Sequence, residues 1–223
     1  MNLHLPQWLP QSNTVNLLAG MFLLSALYAA SQRRVTACIA GYRWNSIALG
    51  LIALTVALIT GTGHIAVAAL LVIGVKAIII PALLAKHASR MKGRPAEPLI
   101  SIPAGMLICG ALVVVAFSQT RALFGTGQNI LGSCLPVSVA TTLVGLYLMV
   151  SRPQALLQVV GLVMVENAIF LAAVSLTYGM PLVVEVGVLL DLLVGVALLG
   201  LFVGRIEETQ GDSGTPRLRS SKG

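Results

Sequence analysis

The chain reads as an all-α, polytopic bundle of transmembrane helices, and three observations predict it. Hydrophobic residues make up 57% of the 223 residues and charged ones only 9%, with a mean hydropathy of +0.94; soluble domains carry about a quarter charged residues. The apolar residues gather into runs of roughly 18 to 24, the length that crosses about 30 Å of hydrocarbon at 1.5 Å per residue. Polar and apolar residues nowhere alternate over about ten positions, as the strands of a membrane barrel would.

Seven spans follow in order, at 13 to 31, 44 to 61, 65 to 86, 99 to 118, 131 to 150, 155 to 177 and 181 to 204. The first is read as a retained span and not a cleaved signal, because residues 1 to 12 hold no Lys or Arg and the apolar run is too long for a signal core. Short connections make sequence neighbours antiparallel. "GTGQNILG" (125 to 132) is rich in glycine but lacks the Lys-Ser/Thr ending of a phosphate loop, and reads as an external turn. In "YGMP" (178 to 181), Gly179 can end span six and Pro181 suits the first position of span seven, a tight external hairpin that holds the two side by side. Beyond residue 204 the composition turns polar, with Gly, Ser and Pro, and a disordered or partner-bound tail is expected.

Basic residues orient the bundle. With the C-terminus cytoplasmic and the N-terminus outside, the inner segments hold Arg33, Arg34, Arg43, Lys86, Arg90, Lys92, Arg94, Arg152, Arg205, Arg217, Arg219 and Lys222, twelve of the fourteen. Arg121 alone falls outside, and Lys76 lies within a span. The net charge of +7 is thereby a topogenic signal with some attraction for anionic lipid, and nucleic acid is not needed to explain it.

No catalytic or metal centre is legible. Cys38, Cys109 and Cys134 are far apart and form no CxxC pair, so they read as packing residues. His4 lies in the N-terminal segment, His64 and His87 fall at span ends, and no nucleophile–base–acid constellation appears.

Charge inside the membrane is the informative feature. Glu97, Glu207, Glu208 and Asp212 are in loops or the tail, which leaves Glu166, Glu185 and Asp191 within spans, with Lys76 as the accompanying base. Each costs roughly 2.5 to 3.5 kcal/mol at a helix centre on insertion scales, and such residues are retained mostly where they line a pathway or pair inside a bundle. Counting from span ends puts Lys76, Glu166 and Asp191 roughly 15 to 17 Å deep, near the midplane, and Glu185 about 6 Å from the external face. Six residues, a rotation of about 240°, separate Glu185 from Asp191, so the two do not share a helical face. One base cannot neutralise three acids, and the excess must be protonated or hydrated. Groups whose charged forms are penalised by burial exchange protons readily, as a proton path requires. Pro81, five residues after Lys76, removes one backbone donor and frees a carbonyl near Ala77, so a kink or a hydrated carbonyl is expected beside the lysine.

At these residues the sequence resembles a known family. "GLVMVENAIFLAAV", then "MPLVVEVGVLLDLLVGVALLGLFVGRI", with "VKAIIIPALL" far upstream, is similar to the E component of hydrogenase-4, a membrane subunit of group 4 [NiFe]-hydrogenase complexes such as formate hydrogenlyases. The resemblance is strongest over 128 to 206 and 72 to 84, and weak over the first two spans. That family's last three spans are similar to the K subunit of complex I and the C subunit of Mrp-type antiporters. The resemblance thus implies a division into a four-span region (1–127), a three-span region like the K subunit (128–206) and a polar cytoplasmic tail (207–223).

It also implies that Glu166 and Asp191 occupy the K subunit's two membrane carboxylate sites. One departure is clear: the K subunit has its glutamate where Val163 stands here, and this chain's acid comes three residues later, on nearly the same face but about 4.5 Å along the helix. Asp191 is in register with the second site but is shorter than glutamate. Glu185 and Lys76 belong to the hydrogenase-4 E pattern alone.

The implied function is a non-catalytic subunit of the membrane arm that helps couple electron transfer to proton translocation, with Lys76, Glu166, Asp191 and Glu185 along the path. Cofactors would be held by partners, with NiFe and Fe–S centres in peripheral hydrogenase subunits and none in this chain. The expected neighbours are antiporter-like membrane subunits and a membrane anchor subunit, in a bacterial cytoplasmic (inner) membrane. Two alternatives stay open: a subunit of a multisubunit sodium/proton antiporter, against which the four additional spans argue, and a scaffold whose charges only make ion pairs between subunits. No repeat of the span-six and span-seven pattern in the first half supports a stand-alone carrier.

Overall fold

The computed structural model describes residues 11–61, 63–90, 99–124 and 134–177, and among them every regular element is helical. In chain order these are α1 (Gln11–Ser31), α2 (Val35–Thr60), α3 (Gly63–Leu71), a π-helical segment (Val72–Ile79), α4 (Ile80–Arg90), α5 (Ile102–Phe124), α6 (Cys134–Ser151) and α7 (Ala155–Thr177). α3, the π segment and α4 run on as one interrupted span. Six stretches of the described residues are long and apolar enough to cross a membrane, and they match the first six predicted spans. The predicted seventh span with Glu185 and Asp191, the Gly179/Pro181 hairpin, the "GTGQNILG" turn and the tail lie outside the described residues.

α2 begins nine residues ahead of the expected 44. The basic side chain of Arg43 suggested a loop, but the stretch before it, "VTACIAGY", is apolar and free of proline. Arg34, extended at φ −97° and ψ 130°, precedes the first turn instead. Arg43 is an exposed helical residue, so the expectation that it lies in an inner loop is corrected: it belongs to a span.

α1, α2, α6 and α7 form the centre of the bundle. α7 packs along α6 and α2, and α1 packs on α2 and α6. α5 flanks α6 and α1, while the interrupted third span lies against α2. Most buried apolar residues fall into two large groups, one around Phe22, Leu49, Ile52 and Leu171 and one around Tyr42, Leu84, Leu148 and Met164, with Cys38 and Leu157 forming a small third. Water drives no helix association inside lipid, so close backbone approach and interhelical polar contacts must do it. The approach is plain where α6 crosses α7: a Cβ on Gly161 would lie 2.8 Å from the Gly145 carbonyl oxygen, and one on Gly145 would lie 3.1 Å from the Gly161 carbonyl. All three cysteines are free and buried within this packing.

Three connections meet at one end of the bundle. Arg152, buried in the three-residue link between α6 and α7, donates from Nη2 to the carbonyls of Ala30 (3.0 Å) and Gln32 (2.7 Å). These carbonyls close α1, where a cation satisfies unpaired acceptors and opposes the negative end of the helix dipole. The Leu99 N–H, just before α5, donates to the Ser151 carbonyl at 3.0 Å. Arg121 lies in the last turn of α5, at the other end of that helix. Arg152 is therefore a helix cap, which its position in a link did not foretell.

Gly161→Leu is expected to lower the thermal stability of the detergent-purified chain by about 1–3 kcal/mol, as overpacking does, while Leu162→Val, at a half-buried neighbouring position, changes it little. Equal melting of both variants in a fluorescence-detected thermal scan would show that the α6/α7 crossing is not tight.

Candidate functional site

The site starts from Pro81. It has no N–H to donate, and its ring crowds the carbonyl four residues back in an α-helix. The chain relieves the clash by widening the preceding turns: residues Val72–Ile79 form a π-helix, and the Ile80 N–H donates to the Val75 carbonyl, five residues back. Ahead of Pro81 the helix takes this π form, and Lys76 is in it. Such insertions are frequent at functional sites because they reorient one side chain without ending the helix.

Lys76 is 1% exposed and points into the bundle. Its Nζ lies 3.2 Å from Glu166 Oε1 on α7, and the carboxylate side chain is only 8% exposed. The ammonium also stands 5.8 Å from the centroid of Phe170, one turn beyond Glu166 on the same helix face. Two residues 90 positions apart are thus joined at the depth where the sequence put both. In hydrocarbon this pairing is close to obligatory, since each charge alone would carry the full desolvation penalty.

A second polar contact sits beside the first. Asn167, fully buried next to Glu166, donates through Nδ2 to Asn45 Oδ1 (3.0 Å) and Ser46 Oγ (2.9 Å) on α2. Asn45 in turn donates to the Phe22 carbonyl of α1 at 3.0 Å, and Ser25 donates to the same carbonyl at 2.7 Å. Adjacent residues on a helix project about 100° apart. Engaging Asn167 with α2 therefore fixes the rotation of α7 and directs Glu166 to the Lys76 side. Opposite, on α6, the register set by Gly145 against Gly161 and Val165 brings the buried Thr141 level with Asn167. Among the described residues, neither Thr141 Oγ1 nor Asn167 Oδ1 has a hydrogen-bond partner.

Of the predicted path residues, the structure brings together Lys76 and Glu166. Glu185 and Asp191 lie outside the described residues. The reading from sequence did not single out Asn45, Ser46 or Asn167. The available signal was the amide pair itself, since a lone Asn inside an apolar run wants a partner as much as a carboxylate does. No group of three or more His, Cys, Asp or Glu side chains with metal-binding geometry occurs among the described residues.

The uncharacterized protein Rv0085 of Mycobacterium tuberculosis is 29% identical over 207 residues, covering 92% of this chain and 94% of that protein. Hydrogenase-4 component E of Escherichia coli K12 is 26% identical over 216 residues, covering 95% of this chain and 99% of its own length, and that of Shigella flexneri matches equally. The chain is a homologue of hydrogenase-4 component E along nearly its whole length. No family model matches the chain. No solved structure matches it either.

If the pair is as tightly coupled as its burial implies, Lys76→Met and Glu166→Leu alone each destabilise the chain by about 3–5 kcal/mol, while the double variant is close to neutral. Thermal unfolding of the three purified variants reads this directly, and additive losses in the double variant would mean that the two groups do not depend on each other.

Proposed function

We propose that this homologue of hydrogenase-4 component E is a membrane-arm subunit of a hydrogenase-4-like, complex I-related assembly in the bacterial inner membrane. In this reading it helps couple electron transfer in peripheral subunits to proton translocation. The observation that carries the reading is the buried Lys76–Glu166 pair, 3.2 Å apart and held in a π-helical segment. Nothing but packing is gained from placing two ionisable groups there if no proton ever reaches them, since apolar residues of like volume pack as well or better. A proton passed from Nζ to Oε1 converts the ion pair to a neutral pair, so the site has two states of similar burial and different charge distribution. A charge arriving nearby shifts the balance between them, and that responsiveness is what a coupling element needs.

The polar side chains around the pair supply the continuation. Asn167 Oδ1 and Thr141 Oγ1, buried and level with each other, would be the next polar groups along such a path. Asp191 and Glu185 would extend the path through the last span. NiFe and Fe–S centres would be carried by peripheral partner subunits, and antiporter-like and anchor subunits would flank this chain. The N-terminus would be outside and the C-terminus cytoplasmic, as the basic residues prefer.

A scaffold role makes the opposite prediction from the same ion pair, and the double variant separates the two. With Lys76→Met/Glu166→Leu assembled in the full complex, the coupling role expects proton translocation in inverted vesicles to fall at least about tenfold per electron transferred, although the pair's contribution to stability is restored. Asp191→Asn is expected to assemble and lose translocation likewise. Normal pumping by the assembled double variant would leave only the scaffold.

A further inference from the structure

The placement of Arg43 points to an unassigned interface. The described residues of α6 number 18, roughly 27 Å, enough to cross the hydrocarbon. Its last residue, Ser151, and the following Arg152 are tied to Leu99, Ala30 and Gln32, which sets the start of α2 at one membrane boundary. Arg43 lies nine residues past Arg34, roughly 13 Å or two and a half turns inward. The opposite side agrees: Asn45, two residues further on, bonds Asn167, which is twelve residues or roughly 18 Å past the start of α7. Arg43 is therefore close to the midplane, and snorkelling by about one turn toward the start of α2 leaves its head group well below the surface.

It also faces away from the core. Two residues rotate the helix by about 200°, so if Asn45 meets α7, Arg43 is turned outward. The exposed residues of α2 form one stripe, Thr36, Arg43, Trp44, Leu51 and Leu58, apolar except near its start and at Arg43. Lipid solvates a guanidinium poorly at that depth. Among the described residues Glu166 is the single acid, and it faces Lys76 on the far side of α2.

We propose that this stripe is a subunit interface, and that its occupant is a transmembrane helix of a second subunit carrying a carboxylate level with Arg43. The planar fork of arginine matches a carboxylate in two parallel hydrogen bonds, and Trp44 beside it supplies a broad apolar anchor of the kind that dominates interfaces. The proposal rests on the reading of the chain as a subunit of a larger membrane complex.

The test uses the full-length chain, alone and co-expressed with the membrane subunits of its complex. Alone, Arg43→Leu is expected to insert and melt as the wild type does. In the complex, Arg43→Glu reduces co-purification of one membrane subunit at least about tenfold, Arg43→Leu several-fold and Arg43→Lys little. A photocrosslinking residue at Leu51 joins that same subunit within a span bearing Asp or Glu, and changing that acid to Lys restores assembly with Arg43→Glu. Wild-type assembly by Arg43→Glu overturns the interface and assigns the face to lipid; instability of Arg43→Leu alone overturns it by placing the counter-charge within the chain. Failure of the wild type itself to co-purify with any membrane subunit removes the underlying complex reading instead.

Discussion

A charge in hydrocarbon must be met by another group or by water, and the middle of this bundle is arranged around that requirement. Lys76 and Glu166 satisfy it for each other at 3.2 Å. The contact links the third span to α7, whereas the backbone of the third span packs against α2. A flexible four-carbon side chain does the reaching, and the π turn ahead of Pro81 aims it. Loss of the pair would leave both helices near each other but would remove the contact by which each charge is met.

The amide contacts solve the same problem with neutral groups. Asn167, Asn45 and Ser46 join α7 to α2, and Asn45 continues to a backbone carbonyl of α1. An ion pair alone is tolerant of angle, because a lysine head group can reach its partner from many directions. An amide hydrogen bond is not. The two kinds of contact at one depth therefore divide the work, one neutralising charge and the other fixing orientation, and a site that changes its protonation can do so without the helices turning.

The homology and the physical reading converge from different sides. The relationship to hydrogenase-4 component E runs over 95% of the chain and supports the proposal of a membrane subunit within a larger complex. The buried pair supplies a chemical reason why such a subunit would be more than a spacer. The exposed Arg43, on the face opposite the amide contacts, extends the same rule outward, as a charge that no acid among the described residues meets.

Composition and run length alone pointed to a helical membrane protein, and they located six apolar stretches that the structure shows as helices long enough to cross a membrane, because hydrophobic length is a local property of the chain. Depth was legible for the same reason: a fixed rise per residue put Lys76 and Glu166 at one level before any contact was known. Which acid the lysine meets was not legible, since three acids competed and helix order around a bundle is a non-local property. Nor was the start of α2, where a charge was read as a loop although a helix can carry an arginine on its outer face. Arg152 illustrates the limit from the other direction: its sign was useful for topology, but only the close packing of the α6–α7 link against the end of α1 decided that its guanidinium would be buried and spent on two carbonyls.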